Sequence, residues 1–149
     1  MSTYAIYMKL GNIQGNVTLS EYSGWIKLLS VQFARWKFIQ QPPTASSIAL
    51  MPNIKEITCA KLVDASSGSI FQLLVTGKHV DAELSFVEWG GVGALKGYLK
   101  EYLRCEMKVV VSSFYNGSEG LGNNIHVVTN NFTLLCVNSI KVILQDRMY

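Results

Sequence analysis

Formal charge is scarce in this chain: Asp, Glu, Lys and Arg together make up 15% of its 149 residues, where a soluble domain ordinarily carries about a quarter. So few charges clothe a lone monomer poorly. Much of the surface is therefore expected to be shared with other subunits or to face lipid. Long apolar runs are missing too. Val109 to Val111 and Leu134 to Val137 are strand-sized, which excludes a spanning helix. An outer-membrane barrel tolerates such patterning but has to be exported. Met1-Ser2-Thr3-Tyr4 leads straight into a strand pattern without the basic region or apolar core of a signal peptide, so stable membrane insertion is not expected.

Chemistry-bearing residues are equally thin. The three cysteines, Cys59, Cys105 and Cys136, are odd in number and far apart, so neither a disulfide framework nor a zinc site is indicated, and each reads as a small buried hydrophobe. His79 and His126 stand alone, without ligands at metal spacing. No nucleophile elbow or acidic cluster emerges, so no catalytic residue, metal or cofactor is predicted and the chain is not expected to be an enzyme. The net charge of +3 comes from dispersed bases, among them Lys27, Arg35, Lys61, Lys100 and Arg104, without a ribonucleoprotein motif, and no nucleic-acid partner is expected. Glycosylation-like triplets at Asn16, Asn116 and Asn131 are chance matches in an Asn- and Thr-rich β-protein.

What is present is alternation. Tyr4, Ile6, Met8 and Leu10 line one face of a first strand that stops at Gly11-Asn12-Ile13-Gln14-Gly15. Trp25 to Trp36 puts Trp25, Leu29, Val31 and Phe33 on one face and Ile26 and Leu28 on the other, long enough to require a bend or bulge. Residues 37–53 hold all three prolines, Pro42, Pro43 and Pro52, and read as an extended contact loop. Ile54 to Val63 is a strand. In the next strand Val80, Ala82, Leu84 and Phe86 face one way, while His79, Asp81, Glu83 and Ser85 make a wet or interfacial face. Leu99 to Val111 alternates in the same manner, although Leu95, Leu99 and Leu103 also fit helical spacing. Asn116 to Asn124 reads as a loop, and Ile125 to Val137 with Ile140 to Leu144 as a closing hairpin around Asn138-Ser139.

Only Asp64 to Gly77 reads as a helix. Asp64 and the serines offer oxygens to the first turn, Ile70, Leu73 and Leu74 make an apolar stripe that Phe71 widens, and Gly77 is placed to end the last turn. The run Gly90-Gly91-Val92-Gly93-Ala94-Leu95-Lys96-Gly97 superficially resembles a phosphate loop. Its third glycine falls one residue late for a dinucleotide fingerprint, and the strand before it is polar on one face, so a flexible strand connection is preferred.

The order of these elements resembles the Hcp family, the tube-forming proteins of bacterial type VI secretion systems. The resemblance rests on Tyr4 to Leu10 with its glycine turn, on Ser23-Gly24-Trp25-Ile26-Lys27-Leu28-Leu29-Ser30, on Ile57-Thr58 through Lys61-Leu62-Val63-Asp64-Ala65-Ser66-Ser67 with the helix behind it, and on Tyr102 to Ser113 followed by Ile125 to Leu144. It implies a divergent member with one domain over residues 1–149, a mainly β two-sheet barrel or sandwich with one α-helix, about Ser66 to Thr76, on its side. It further implies homohexameric rings stacked into a tube, sheath and VgrG-like spike proteins as partners, and effector proteins in the lumen. The protein would stay in the bacterial cytoplasm until firing and leave without a signal peptide. Gln40, Gln41, Pro42, Pro43, Ser46 and Ser47 are the candidate subunit contacts, and strand Lys and Arg residues are expected to make the lumen polar. The alternatives are a monomeric ligand- or oligonucleotide-binding β-barrel and an enzyme. Sizing separates the tube subunit from both.

Overall fold

The computed structural model describes residues 2–33, 36–39, 55–91 and 97–149. The chain forms β1 (Ser2–Leu10), a 3-10 turn (Ser20–Tyr22), β2 (Ile26–Leu28), β3 (Ser30–Phe33), β4 (Trp36–Ile39), β5 (Glu56–Leu62), α1 (Ser67–Thr76), β6 (Val80–Gly91), β7 (Gly97–Gly120), β8 (His126–Cys136) and β9 (Lys141–Met148). The strands make one antiparallel sheet in the order β2-β1-β6-β7-β8-β5-β3-β4, with β9 also pairing β7. Among the described residues the expected mainly β fold with one helix is present, its β part a single sheet whose ladder is open rather than a closed barrel. That sheet curls strongly. Leu29 alone separates β2, which pairs β1, from β3, which pairs β5, and its N–H donates to Ala60 O at 2.7 Å. The rings of Phe33 on β3 and Phe86 on β6 meet at 6.4 Å across the interior.

Inside the curl lies a continuous apolar core that includes Ile6, Met8, Ile26, Leu28, Val31, Phe33, Leu84, Phe86, Phe132 and Leu134. The faces of β2 and β3 differ from a strict alternation. Val31 and Phe33 share the interior with Ile26 and Leu28 rather than with Trp25 and Leu29. The parity inverts at Leu29, where the chain passes from one partner strand to another, and this is the bend that the segment's length requires.

Two further expectations are corrected. Asn116 to Gly120 is strand, not loop, because β7 continues in register with β8 as far as Gly120 opposite His126. A Cβ on Gly117 would lie 2.8 Å from Asn131 Oδ1, so this glycine is a site of close strand packing rather than of turning. The turn itself is confined to Leu121–Ile125, with Gly122, Asn123 and Asn124 at positive φ. Nor do β8 and β9 form a hairpin. Both pair the same side of β7, β8 from Gly120 back to Val109 and β9 from Glu106 back to Lys100, so the bend at Asn138-Ser139 continues one line of strand. Asn138 Oδ1 accepts from Lys108 N at 2.9 Å, and Val137 N donates to Lys108 O, which holds the chain in line. The helix begins at Ser67 and ends as expected: Gly77 is left-handed and its N–H donates to Leu73 O.

Candidate assembly surface

The face of β6 expected to be wet is covered at one end. Residues 12–25 cross it, and Tyr22, fully buried, joins Ala5, Tyr7, Val87 and Leu99 in a second apolar cluster on the outside of the sheet. Polar groups are sealed beneath it. Tyr22 Oη donates to Glu101 Oε2 at 3.0 Å and lies 2.7 Å from Ser85 Oγ, which donates to the same carboxylate oxygen. Arg104 completes the group, with Nε 3.0 Å and Nη2 2.9 Å from Glu101 Oε2, while its guanidinium stacks over Trp25 at 5.4 Å. Burial pushes the Tyr22 phenol far above its ordinary pKa. Burial alone would lower the pKa of Arg104, but the Glu101 carboxylate outweighs it and raises the value. This arrangement has the character of a structural anchor. A phenol and an arginine that both hold their protons, around one carboxylate, offer no group poised for proton transfer.

A second polar knot fixes the start of α1. Lys61, with no exposure, donates from Nζ to Leu62 O at 2.7 Å and to Asp64 Oδ1 at 2.8 Å. Asp64 Oδ1 also accepts from Ser66 N at 2.8 Å and Ser66 Oγ at 2.6 Å, and Ser67 Oγ donates to Asn130 Oδ1 on β8. Asp64 thus accepts from Ser66, just ahead of α1, rather than from the N–H groups of the first turn, and Ser66 makes no side-chain cap bond of its own. At the far end of β6, Tyr102 Oη donates to Glu88 Oε1 at 2.6 Å, which pushes that phenol up to about 12.

Among the described residues, no group of His, Cys, Asp and Glu could hold a metal ion. Cys59, Cys105 and Cys136 are free and buried, and burial raises all three thiols. They are the small hydrophobes that their strand positions predict. The glycine run links antiparallel strands, with Gly91 opposite Gly97, which removes the parallel crossover that a phosphate loop needs.

Apolar groups are abundant outside. Leu62, Val63, Phe71, Val75, Trp89, Tyr115, Leu121, Ile125, Val128 and Leu144 are all exposed, Val75 at 68%. Several converge on a groove of about 780 Å³ between the 16–20 segment, Leu29, Leu62, Val63 and Trp89, with Lys27 and Asp64 at its wall. The sequence signal for such surfaces is the low charge content, which says that they exist but not where. Gln40, Gln41, Pro42, Pro43, Ser46 and Ser47 lie outside the described residues. Of the bases expected in a polar lumen, Lys61 and Arg104 are instead engaged within the subunit, as above.

Comparison with known proteins places these features. Residues 7–138 match the family model described as "Type VI secretion system effector, Hcp". No curated protein sequence matches. Among solved structures the chain is similar to Hcp1 from Salmonella typhimurium, at 17% identity and a TM-score of 0.68 over 99% of this chain and 91% of that one. It is also similar to Hcp2 from Salmonella typhimurium, at 16% identity and 0.58 over 96% and 95%. A type VI secretion system effector from Yersinia pestis gives 12% identity and 0.58 over 95% and 99%.

Proposed function

The chain belongs to the Hcp family of type VI secretion tube proteins, and from that premise we propose that it is a structural subunit of the secretion inner tube. Six copies close into a ring through two different surfaces of each subunit, and rings stack into a hollow tube. A contracting sheath drives the tube outward behind a VgrG-like spike, and effector proteins travel in the lumen. The role is mechanical, not enzymatic. The subunit waits in the bacterial cytoplasm until the machine fires.

The observation that carries this reading is the pairing of the family match with a charge-poor exterior. Among the described residues sixteen large apolar side chains stand exposed in a protein with 15% charged residues, a surface that calls for burial against copies of itself. The loop holding Gln40, Gln41, Pro42, Pro43, Ser46 and Ser47 is the proposed reach to a neighbouring subunit. Negative-stain imaging and light scattering of the purified chain test the assembly: six-membered closed rings are expected, and a strict monomer at high concentration overturns it. Deletion of Ser46-Ser47 tests the loop, with ring or stack formation expected to fail.

A further inference from the structure

Residues 12–25 are bonded to themselves more than to the sheet they cover. Gly15 N donates to Gly24 O at 2.8 Å, Val17 N to Trp25 O at 3.1 Å, Gly24 N to Val17 O at 2.9 Å, and Trp25 N to Tyr22 O at 2.9 Å. The segment is closed tightly. A Cβ on Gly15 would lie 2.2 Å from Trp25 O, and Gly24 sits at φ +82°. Such a loop, with its ends together and its own internal bonds, is a unit that moves as one piece.

It is held to the rest of the fold by a backbone bond from Ile13 N to Leu10 O at 3.1 Å, by Ile13 against the main core, and on the outer face by Tyr22. Tyr22 packs its ring 4.9 Å from that of Tyr7 and edge-on to Trp25 at 5.0 Å, and Tyr149 at the chain's last position lies 6.1 Å away. Its hydroxyl ends in the sealed group of Ser85, Glu101 and Arg104. Arg104 in turn reaches over Trp25, so both aromatic anchors of the loop answer to the same carboxylate.

We propose that residues 12–25 form a strap that opens and closes as a unit over the outer face of β1, β6 and β7, latched by the Tyr22 hydroxyl on Glu101. The consequence is local and specific. Val17, Thr18, Leu19 and Ser20 of the strap wall the apolar groove, and Tyr7, the ring against which Tyr22 closes, lines it. Opening therefore removes one side of the groove and uncovers the Tyr7 and Val87 surface. Tyr22 is a positioning residue: it acts on the groove through the strap. The inference stands whether or not the subunits form rings.

Native-state hydrogen exchange on the full chain tests it, comparing the amides of Val17, Gly24 and Trp25 with sheet amides such as those of Met8 and Leu84. In the unsubstituted protein the strap amides should exchange through one shared opening that is nearly independent of urea, while the sheet amides follow global unfolding. Tyr22→Phe, which keeps the ring and removes a hydrogen bond to a carboxylate, should speed the strap amides by about ten- to a hundredfold and leave the sheet amides unmoved. Ser85→Ala should speed the same set by a smaller factor. Uniform acceleration of strap and sheet, or strap amides that respond individually, overturns the proposal. If Tyr22→Phe does not fold, the urea dependence of the unsubstituted protein decides alone: strap amides that track the sheet amides overturn it.

Discussion

Glu101 is a carboxylate with no exposure, and Arg104 within 3 Å of it offsets the cost of burying its charge, with hydrogen bonds from Tyr22 and Ser85 adding to this. Removing one member of a buried pair leaves the other uncompensated, which costs about 3 to 5 kcal/mol. Arg104→Ala is accordingly expected to lower the unfolding free energy by about 3 kcal/mol, and Arg104→Ala combined with Glu101→Gln by less than the single change, as chemical denaturation would show. Asp64 gives a pH signature of known sign. Its burial works to raise the pKa, but hydrogen bonds from Lys61 and Ser66 outweigh this and hold it below the ordinary value. A depressed folded-state pKa means stability that is present above the ordinary Asp value of about 3.9 and is lost as pH falls through the folded one. The stability difference between the unsubstituted protein and Asp64→Asn should thus be present near neutrality and shrink on acidification below about pH 4, and a difference that grows on acidification would contradict the assignment.

At the scale of elements, α1 shows how much of the fold was written locally. Its stripe and its glycine stop were both legible, because each depends on neighbours within one or two turns. Ile70 is its one fully buried side chain, while Phe71, placed in the stripe by spacing, is 49% exposed and meets only the rim, edge-on to Phe114. Ile70→Ala should cost about 2 to 4 kcal/mol and Phe71→Ala clearly less, a contrast measurable by thermal unfolding. The strands were legible in kind but not in pairing. β7 carries an extra residue at Tyr102 against β6 and at Ser112 against β8, and these bulges let one strand serve three partners. No local signal marks either position, so the continuation of β8 into β9 reads in the sequence as a hairpin at Asn138-Ser139. The covered face of β6 was hidden for the same reason. Glu83, Ser85 and Arg104 look like solvated alternates until a loop from much earlier in the chain closes over part of them.

For the whole molecule, the informative quantity was one that no single residue carries, the shortage of charge. It led to the expectation of a surface shared with other subunits; Leu62, Val63, Trp89 and Val75 are exposed, while the positions named for contact fall on residues the structure does not describe. If burial of apolar surface holds the proposed rings together, their stability should respond to salt and to substitution in opposite ways from an ionic assembly. Raising salt from about 0.1 to about 1 M shortens the screening length from about 10 to about 3 Å, and rings held by apolar contact should survive it, since apolar burial is not weakened by screening. A charge placed in the groove should do what salt does not. Val63 is 54% exposed, so Val63→Lys is expected to change subunit stability by no more than about 0.5 kcal/mol, yet to desolvate an ammonium whenever that face is covered. Light scattering of the two proteins at low and high salt separates the cases. Salt-resistant rings that fall to monomers with Val63→Lys place the groove inside the ring contact. Rings indifferent to the substitution would move the contact elsewhere on the apolar exterior, and rings that dissolve in salt would show that the few charges, not the many apolar groups, hold the copies together.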